Sequence, residues 1–170
     1  MTADEDKQQA IGILEREWQA LDKVLRSLDE RQLDRTVFGE APGWRVRDMI
    51  THMAWWQELA ARVAEKVAAE GTAPDHRGSR PYLGIDTPVD ELNAATYNEW
   101  RERPMADRWE RWLRAHSRMM DAFRTLTTDQ FLEAEGGMEG MKGYFAVPGV
   151  VHLRMHRDNI EAAMKETPTA

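Results

Sequence analysis

The chain has 170 residues, no cysteine and a formal net charge of −7 at pH 7. This length suits one domain with a complete core, and no apolar run predicts a signal peptide or a membrane span. The lack of cysteine excludes disulfides, thiolate metal ligands and a cysteine nucleophile, and the acidic balance argues against general nucleic-acid binding. We therefore expect one soluble, cytoplasmic domain over residues 1–170, with neither a nucleic-acid nor a membrane partner.

The first predicted element is an amphipathic helix from about Asp4 to Leu28. Charged residues separate its apolar residues, which recur at steps of three and four: Ile11, Leu14, Trp18, Leu21, Leu25 and Leu28. This spacing is typical of a helix that buries one face, and the stripe carries no evident chemistry. Residues 29–43 lose the period and end in a breaker cluster, which predicts a loop.

A second helix is predicted from Val46 to about Ala69, and its apolar stripe contains a histidine. Helical spacing places His52 in the middle of that stripe, so its ring should face the core. Asp48 lies one turn earlier on the same face, where a carboxylate can hold the tautomer of the imidazole. The alternative is that Asp48 is an early-helix acid favoured by the helix dipole.

The middle of the chain predicts a long connection and then an interrupted helix. Residues 70–88 contain repeated glycine and proline with little periodicity, which indicates a loop. Residues 89–126 have helical spacing, and Pro104 predicts a kink or break near Arg103. His116 lies among core positions beyond that break. It is either a hydrogen-bonded core histidine or an accessory acid or base beside a metal.

The last part of the chain combines an irregular segment with a helix that carries two histidines. Residues 127–147 are rich in glycine and predict a loop or hairpin that brings Tyr144 and Phe145 toward a site. The last helix is predicted from Pro148 to about Lys165. Two of its histidines are four residues apart on one face, where they can share a divalent cation or simply be buried.

The surroundings of these histidines resemble a known superfamily. The resemblance rests on two motifs at the starts of the second and last helices: Trp44-x-Val46-x-Asp48-x-x-x-His52 and His152-x-x-x-His156-Arg157. Both motifs resemble the DinB-like superfamily of proposed metalloenzymes, which includes YfiT-like proteins, ClbS-like proteins and the amino-terminal domain of mycothiol-dependent maleylpyruvate isomerase. The resemblance implies a single-domain, all-α four-helix bundle that binds a divalent metal through His52, His152 and His156. Asn159 stands where many members have glutamine, and is a candidate for the same polar role.

The ligand set itself indicates a catalytic metal site. Three imidazole nitrogens leave a four-coordinate metal one open position, and either zinc or nickel accepts such ligands. The zincin signature is absent because no glutamate lies between His152 and His156. A metal-bound hydroxide or external thiolate is therefore the expected nucleophile.

The resemblance implies an enzyme that acts on a small electrophilic molecule. Members of known activity include transferases and isomerases that use a low-molecular-weight thiol such as mycothiol or bacillithiol, and members are often homodimers. The alternative is a protein that sequesters a small molecule or a metal without turnover, in which ligand binding would survive removal of the metal. The sequence names neither the substrate nor the thiol.

Overall fold

The structure is a computed structural model that describes residues 3–39, 43–71, 83–135 and 146–165. These ranges are mostly helical, which confirms the predicted all-α class. The elements are α1 (Ala3–Arg26), α2 (Glu30–Leu33), β1 (Thr36–Phe38), β2 (Trp44–Arg45), α3 (Val46–Glu70), α4 (Val89–Trp100), α5 (Met105–Thr125), α6 (Thr128–Glu135) and α7 (His152–Lys165). Among the helices in this part of the chain, none is long and apolar enough to cross a membrane.

The bundle consists of α1, α3, α5 and α7, and its core is filled by the apolar stripes that the sequence predicts. The predicted α1 stripe is buried over most of its length: Ile11, Leu14, Trp18, Leu21 and Leu25. Each stripe removes one apolar helix face from water while the charged face stays solvated. The closest association is between α3 and α5, which form the centre of the domain.

Two ion pairs between α3 and α5 define the relative direction of these helices. The guanidinium of Arg111 donates two hydrogen bonds to Glu58 at 2.9 and 2.7 Å, and Arg118 donates two to Glu65, both at 2.7 Å. The partners on both helices advance together by about two turns, so the helices run parallel. Parallel neighbours cannot be joined by a short turn, and the chain between these two helices includes α4.

The predicted break near Arg103 is confirmed, because α4 ends at Trp100 and α5 begins at Met105 with Pro104 as its N-cap. Arg108 stabilises this corner although its side chain is buried. It donates hydrogen bonds to the carbonyl oxygens of Trp100, Arg103 and Arg47. These bonds attach the α4–α5 corner to the first turn of α3, which places α4 beside the second turn of that helix.

Two segments that were predicted as loops contain regular structure. Residues 29–43 include α2 and β1, and α2 begins with a capping box in which Asp29 and Gln32 exchange hydrogen bonds between side chain and backbone. Residues 127–147 begin with α6, which buries Phe131 in the core. Such short elements depend on a cap or one buried contact, which periodicity does not detect. The predicted hairpin with Tyr144 and Phe145 lies outside the described residues.

Candidate metal centre

Three histidines from two helices meet at one point in the bundle. His52 comes from the second turn of α3, and His152 and His156 come from the first two turns of α7. The Nε2 atom of His152 lies 3.0 Å from that of His52 and 2.8 Å from that of His156. Each histidine is at most 9% exposed. The structure therefore brings together the three residues that were predicted as metal ligands.

Burial keeps these imidazoles uncharged at neutral pH. It lowers the pKa of His52 to about 4, although a hydrogen bond with the side chain of Asn93 opposes the change. Burial also lowers the pKa of His156 to about 3, and the proximity of His52 adds to the effect. For His152, burial and then its two histidine neighbours lower the pKa to about 2. Neutral nitrogens can offer their lone pairs to a cation without first losing a proton.

The start of α7 is held in place by α1. The backbone is kinked at Gly149 within the segment Ala146–Val151, because its φ of −97° and ψ of −117° are not helical. The last helix therefore begins at His152 and not at Pro148 as predicted. A Cβ atom on Gly149 would lie 3.2 Å from Cδ1 of Leu14, so the two helices approach closely here. This contact fixes the start of α7 relative to α1.

Charged residues reinforce the same contact. Glu17 on α1 accepts hydrogen bonds from Arg154 at 2.7 Å and from Arg157 at 3.1 Å. The hydrogen bond from Arg154 is the main reason that the pKa of Glu17 is lowered. Both arginines lie on the side of α7 that faces α1, and the histidines lie on the side that faces α3 and the interior.

The three histidines line a cavity of about 770 Å³. One part of its wall is aromatic, because Trp44, Trp56 and Phe38 surround the imidazoles. The ring of Trp44 meets that of His52 edge-on at a centroid distance of 5.5 Å, and the ring of Phe38 meets that of His156 in the same way at 6.0 Å. Rings at these positions shield the histidines from bulk water.

Another part of the wall is formed by α4, which carries no motif that would assign the whole helix to the site. The cavity-facing residues of α4 are Val89, Asp90, Asn93, Ala94, Tyr97 and Asn98. They recur at steps of three and four, which is the signal that could have identified them as one helix face. Helical spacing does not predict which part of the protein this face contacts, because the hydrogen bonds of Arg108 set the position of α4.

The predicted partnership of Asp48 with His52 is not what the structure shows. Asp48 is 2% exposed and accepts hydrogen bonds from the backbone N and side chain of Arg45 and from Arg108 at 3.1 Å. Two guanidinium groups therefore neutralise it, and the ion pair joins the start of α3 to α5. Its role is structural, closer to the early-helix alternative.

The other two accessory candidates also lie away from the cavity wall. His116 stacks on Trp18 between α5 and α1, with ring centroids 4.0 Å apart, and its Nε2 atom lies 3.4 Å from a carboxylate oxygen of Glu15. Neither ring nitrogen has a well-aligned hydrogen-bond partner among the described residues, so His116 is a packed core residue. Asn159 is half-buried on α7 and is not part of the cavity wall.

An all-α bundle that joins one histidine of α3 to a histidine pair of α7 defines a protein of the DinB-like class. Within that class, the sequence model of the mycothiol maleylpyruvate isomerase N-terminal domain matches residues 14–143, and the chain belongs to this family. The match includes His52 and ends before His152, so it is the structure that adds the histidine pair. No curated protein and no solved structure matches the chain.

Proposed function

We propose that this protein is a divalent-metal-dependent enzyme that uses a low-molecular-weight thiol to transfer or isomerise a small electrophilic molecule. The observation that carries the proposal is the convergence of three histidine nitrogens, all within 4.8 Å of one another, at the wall of a cavity of about 770 Å³. Pockets of this size are typical of small-molecule sites. The name of the family adds the chemistry, since it combines mycothiol with an isomerase.

The residues present fit a zinc or nickel ion. The Nε2 atoms of His52, His152 and His156 face one another while all three rings are uncharged, and such facing lone pairs repel unless a proton or a cation lies between them. The Nδ1 atoms of His152 and His156 have no hydrogen-bond partner among the described residues, so no acceptor there fixes which ring nitrogen carries the proton. Three neutral imidazoles form an open ligand set that both metals accept.

The ion would act as a Lewis acid there and favour the thiolate form of a thiol co-substrate. The chain contributes no thiol of its own because it contains no cysteine. The side chain of Asn93 lies beside His52 in the cavity wall. Trp44 and Phe38 pack against the imidazoles and keep water out, which strengthens electrostatic interactions inside the cavity.

The metal requirement is tested by elemental analysis of protein purified without a histidine tag. We expect about one zinc or nickel ion per chain in the wild type and loss of the ion in His152→Ala. His116→Ala is the matched control, since it removes a buried histidine that lies outside the cavity wall. Absence of metal from the wild type after reconstitution, or equal metal content in all three proteins, would contradict the proposal.

Turnover is tested with a panel of thiols and electrophiles on the metal-loaded protein. We expect a thiol-dependent rate that His52→Ala abolishes and His116→Ala retains. Equal rates in wild type and His52→Ala would exclude catalysis at this centre. Saturable binding without turnover, unchanged after removal of the metal, would instead support sequestration of a small molecule.

A further inference from the structure

The charge of the cavity wall indicates which class of ligand the cavity accepts. Asp90, an exposed residue at the amino-terminal end of α4, is the only residue with a formal charge at pH 7 among the described residues of the wall. The part of the wall that the structure describes contains neither arginine nor lysine. Proteins that recognise carboxylates normally supply one of these two cations, because an unpaired anion loses its hydration in a pocket.

The remaining wall is suited to an uncharged organic body. Trp44 and Tyr97 pack against each other with ring centroids 5.0 Å apart, and Trp56 and the exposed side chains of Phe38 and Met155 extend the apolar surface. Phe38 is 38% and Met155 is 47% exposed, so both have apolar area that a ligand could cover. Burial of such area favours binding in proportion to the apolar surface removed from water.

We infer that the electrophile accepted by this cavity is an uncharged molecule with an aromatic or aliphatic body, and that Asp90 discriminates against carboxylates. The electrophilic nature of the ligand rests on the proposed function, whereas its lack of charge is inferred from the described cavity wall alone. A dicarboxylate such as maleylpyruvate, the compound in the family name, would bring two negative charges toward Asp90. This member of the family therefore differs in its substrate class.

A metal ion on the three histidines would not make a carboxylate the preferred substrate. A carboxylate drawn onto the histidine-bound ion would occupy the open position that the thiol needs, so it would inhibit and not react. A carboxylate elsewhere in the cavity would face Asp90 and aromatic rings. Binding measured on the metal-depleted protein separates these two effects, since a carboxylate then has no ion to bind and still faces Asp90 on the described wall.

The test is isothermal titration calorimetry of metal-depleted protein at pH 7.5 with cinnamamide and cinnamate, which share a shape and differ in charge. We expect the wild type to bind the amide at least about tenfold more tightly than the carboxylate. Asp90→Asn should raise the affinity for cinnamate about threefold or more and leave that for cinnamamide unchanged. Glu91→Gln is the matched control, because it removes one exposed charge from α4 outside the cavity wall and should change neither affinity.

Several results would overturn the inference. These are equal or tighter binding of cinnamate by the wild type, no effect of Asp90→Asn, or the same effect of Asp90→Asn and Glu91→Gln. Failure of both probes to bind would also reject it. None of these measurements uses metal or thiol, so the inference can fail while thiol-dependent turnover is observed, and the reverse holds as well.

Discussion

The buried ion pair between Asp48 and Arg108 gives the sharpest prediction about stability. The two side chains are 2% and 1% exposed, and their charged atoms are 3.1 Å apart. Asp48→Asn removes the negative charge and leaves the guanidinium of Arg108 buried. Loss of one partner from a buried pair costs roughly 3–5 kcal/mol, because the remaining charge has lost both water and its counterion.

The structure places the expected cost near the lower end of this range. Arg108 keeps three carbonyl acceptors on Arg47, Trp100 and Arg103, so it is not left without hydrogen bonds. We expect Asp48→Asn to lower the free energy of unfolding by about 3 kcal/mol, which for a chain of this length lowers the Tm by about 10 °C. Urea and thermal unfolding of the variant measure both quantities.

Two further variants make the reasoning falsifiable. Asp34→Asn also breaks arginine contacts, but Asp34 is 49% exposed, so its cost should be below about 1 kcal/mol. The double variant Asp48→Asn/Arg108→Met should lose less stability than the sum of the costs of its two single changes, because both single changes break the same buried ion pair. A cost of less than about 1 kcal/mol for Asp48→Asn would refute the structural role. Loss of metal without loss of stability would return Asp48 to the role of a partner of His52.

Three other predictions follow from single contacts. Gly149→Ala should lower zinc affinity in chelator competition and cost about 1–2 kcal/mol, because the new Cβ would press on Leu14 and displace the start of α7; unchanged affinity would contradict this. Gly71→Ala should cost about 1 kcal/mol with no change in zinc affinity, since Gly71 ends α3 with φ +74°; a stable variant would refute it. Burial lowers the pKa of His116 from 6.5 to about 4, so its neutral form stabilises the fold above pH 6.5 and up to about 3 kcal/mol is lost as the pH falls toward 4. Unfolding curves at pH 4.5 and 7.5 should therefore differ less for His116→Gln than for the wild type, and equal differences would exclude this origin.

Local signals in the sequence were sufficient to predict the long helices and the break between α4 and α5. The α1 stripe and the break before Pro104 could both be predicted because helical period and proline geometry act within a few residues of the chain. α2 and β1 were missed because they span four and three residues, too few for a period to appear. α2 depends on its N-terminal capping box, and β1 depends on pairing with β2. Neither feature produces a periodic pattern in the sequence.

The candidate site shows the same distinction between residues that local signals predict and partners that distant contacts decide. His52, His152 and His156 could be chosen from helical spacing and family motifs, and the structure brings them together. The partners of the histidines could not be chosen in this way. Asp48 has the right spacing from His52, yet its charge is taken by Arg108, which is 60 positions away in the sequence. Spacing along a helix identifies residues that share a face, and competition among distant charges decides what they bind.

Helix α1, which contributes no residue to the described cavity wall, positions the histidines of the candidate metal centre. α7 meets α1 through Leu14 at Gly149 and through Glu17 at Arg154, and both contacts lie within one turn of His152. The cluster of facing neutral imidazoles offers little stability of its own, so the core and these contacts must hold the rings together. Under the proposed function, a metal ion that bound only the folded form would add stability by mass action. The core and these contacts set the positions of the three candidate ligands, which is the preorganisation that the proposed metal site requires.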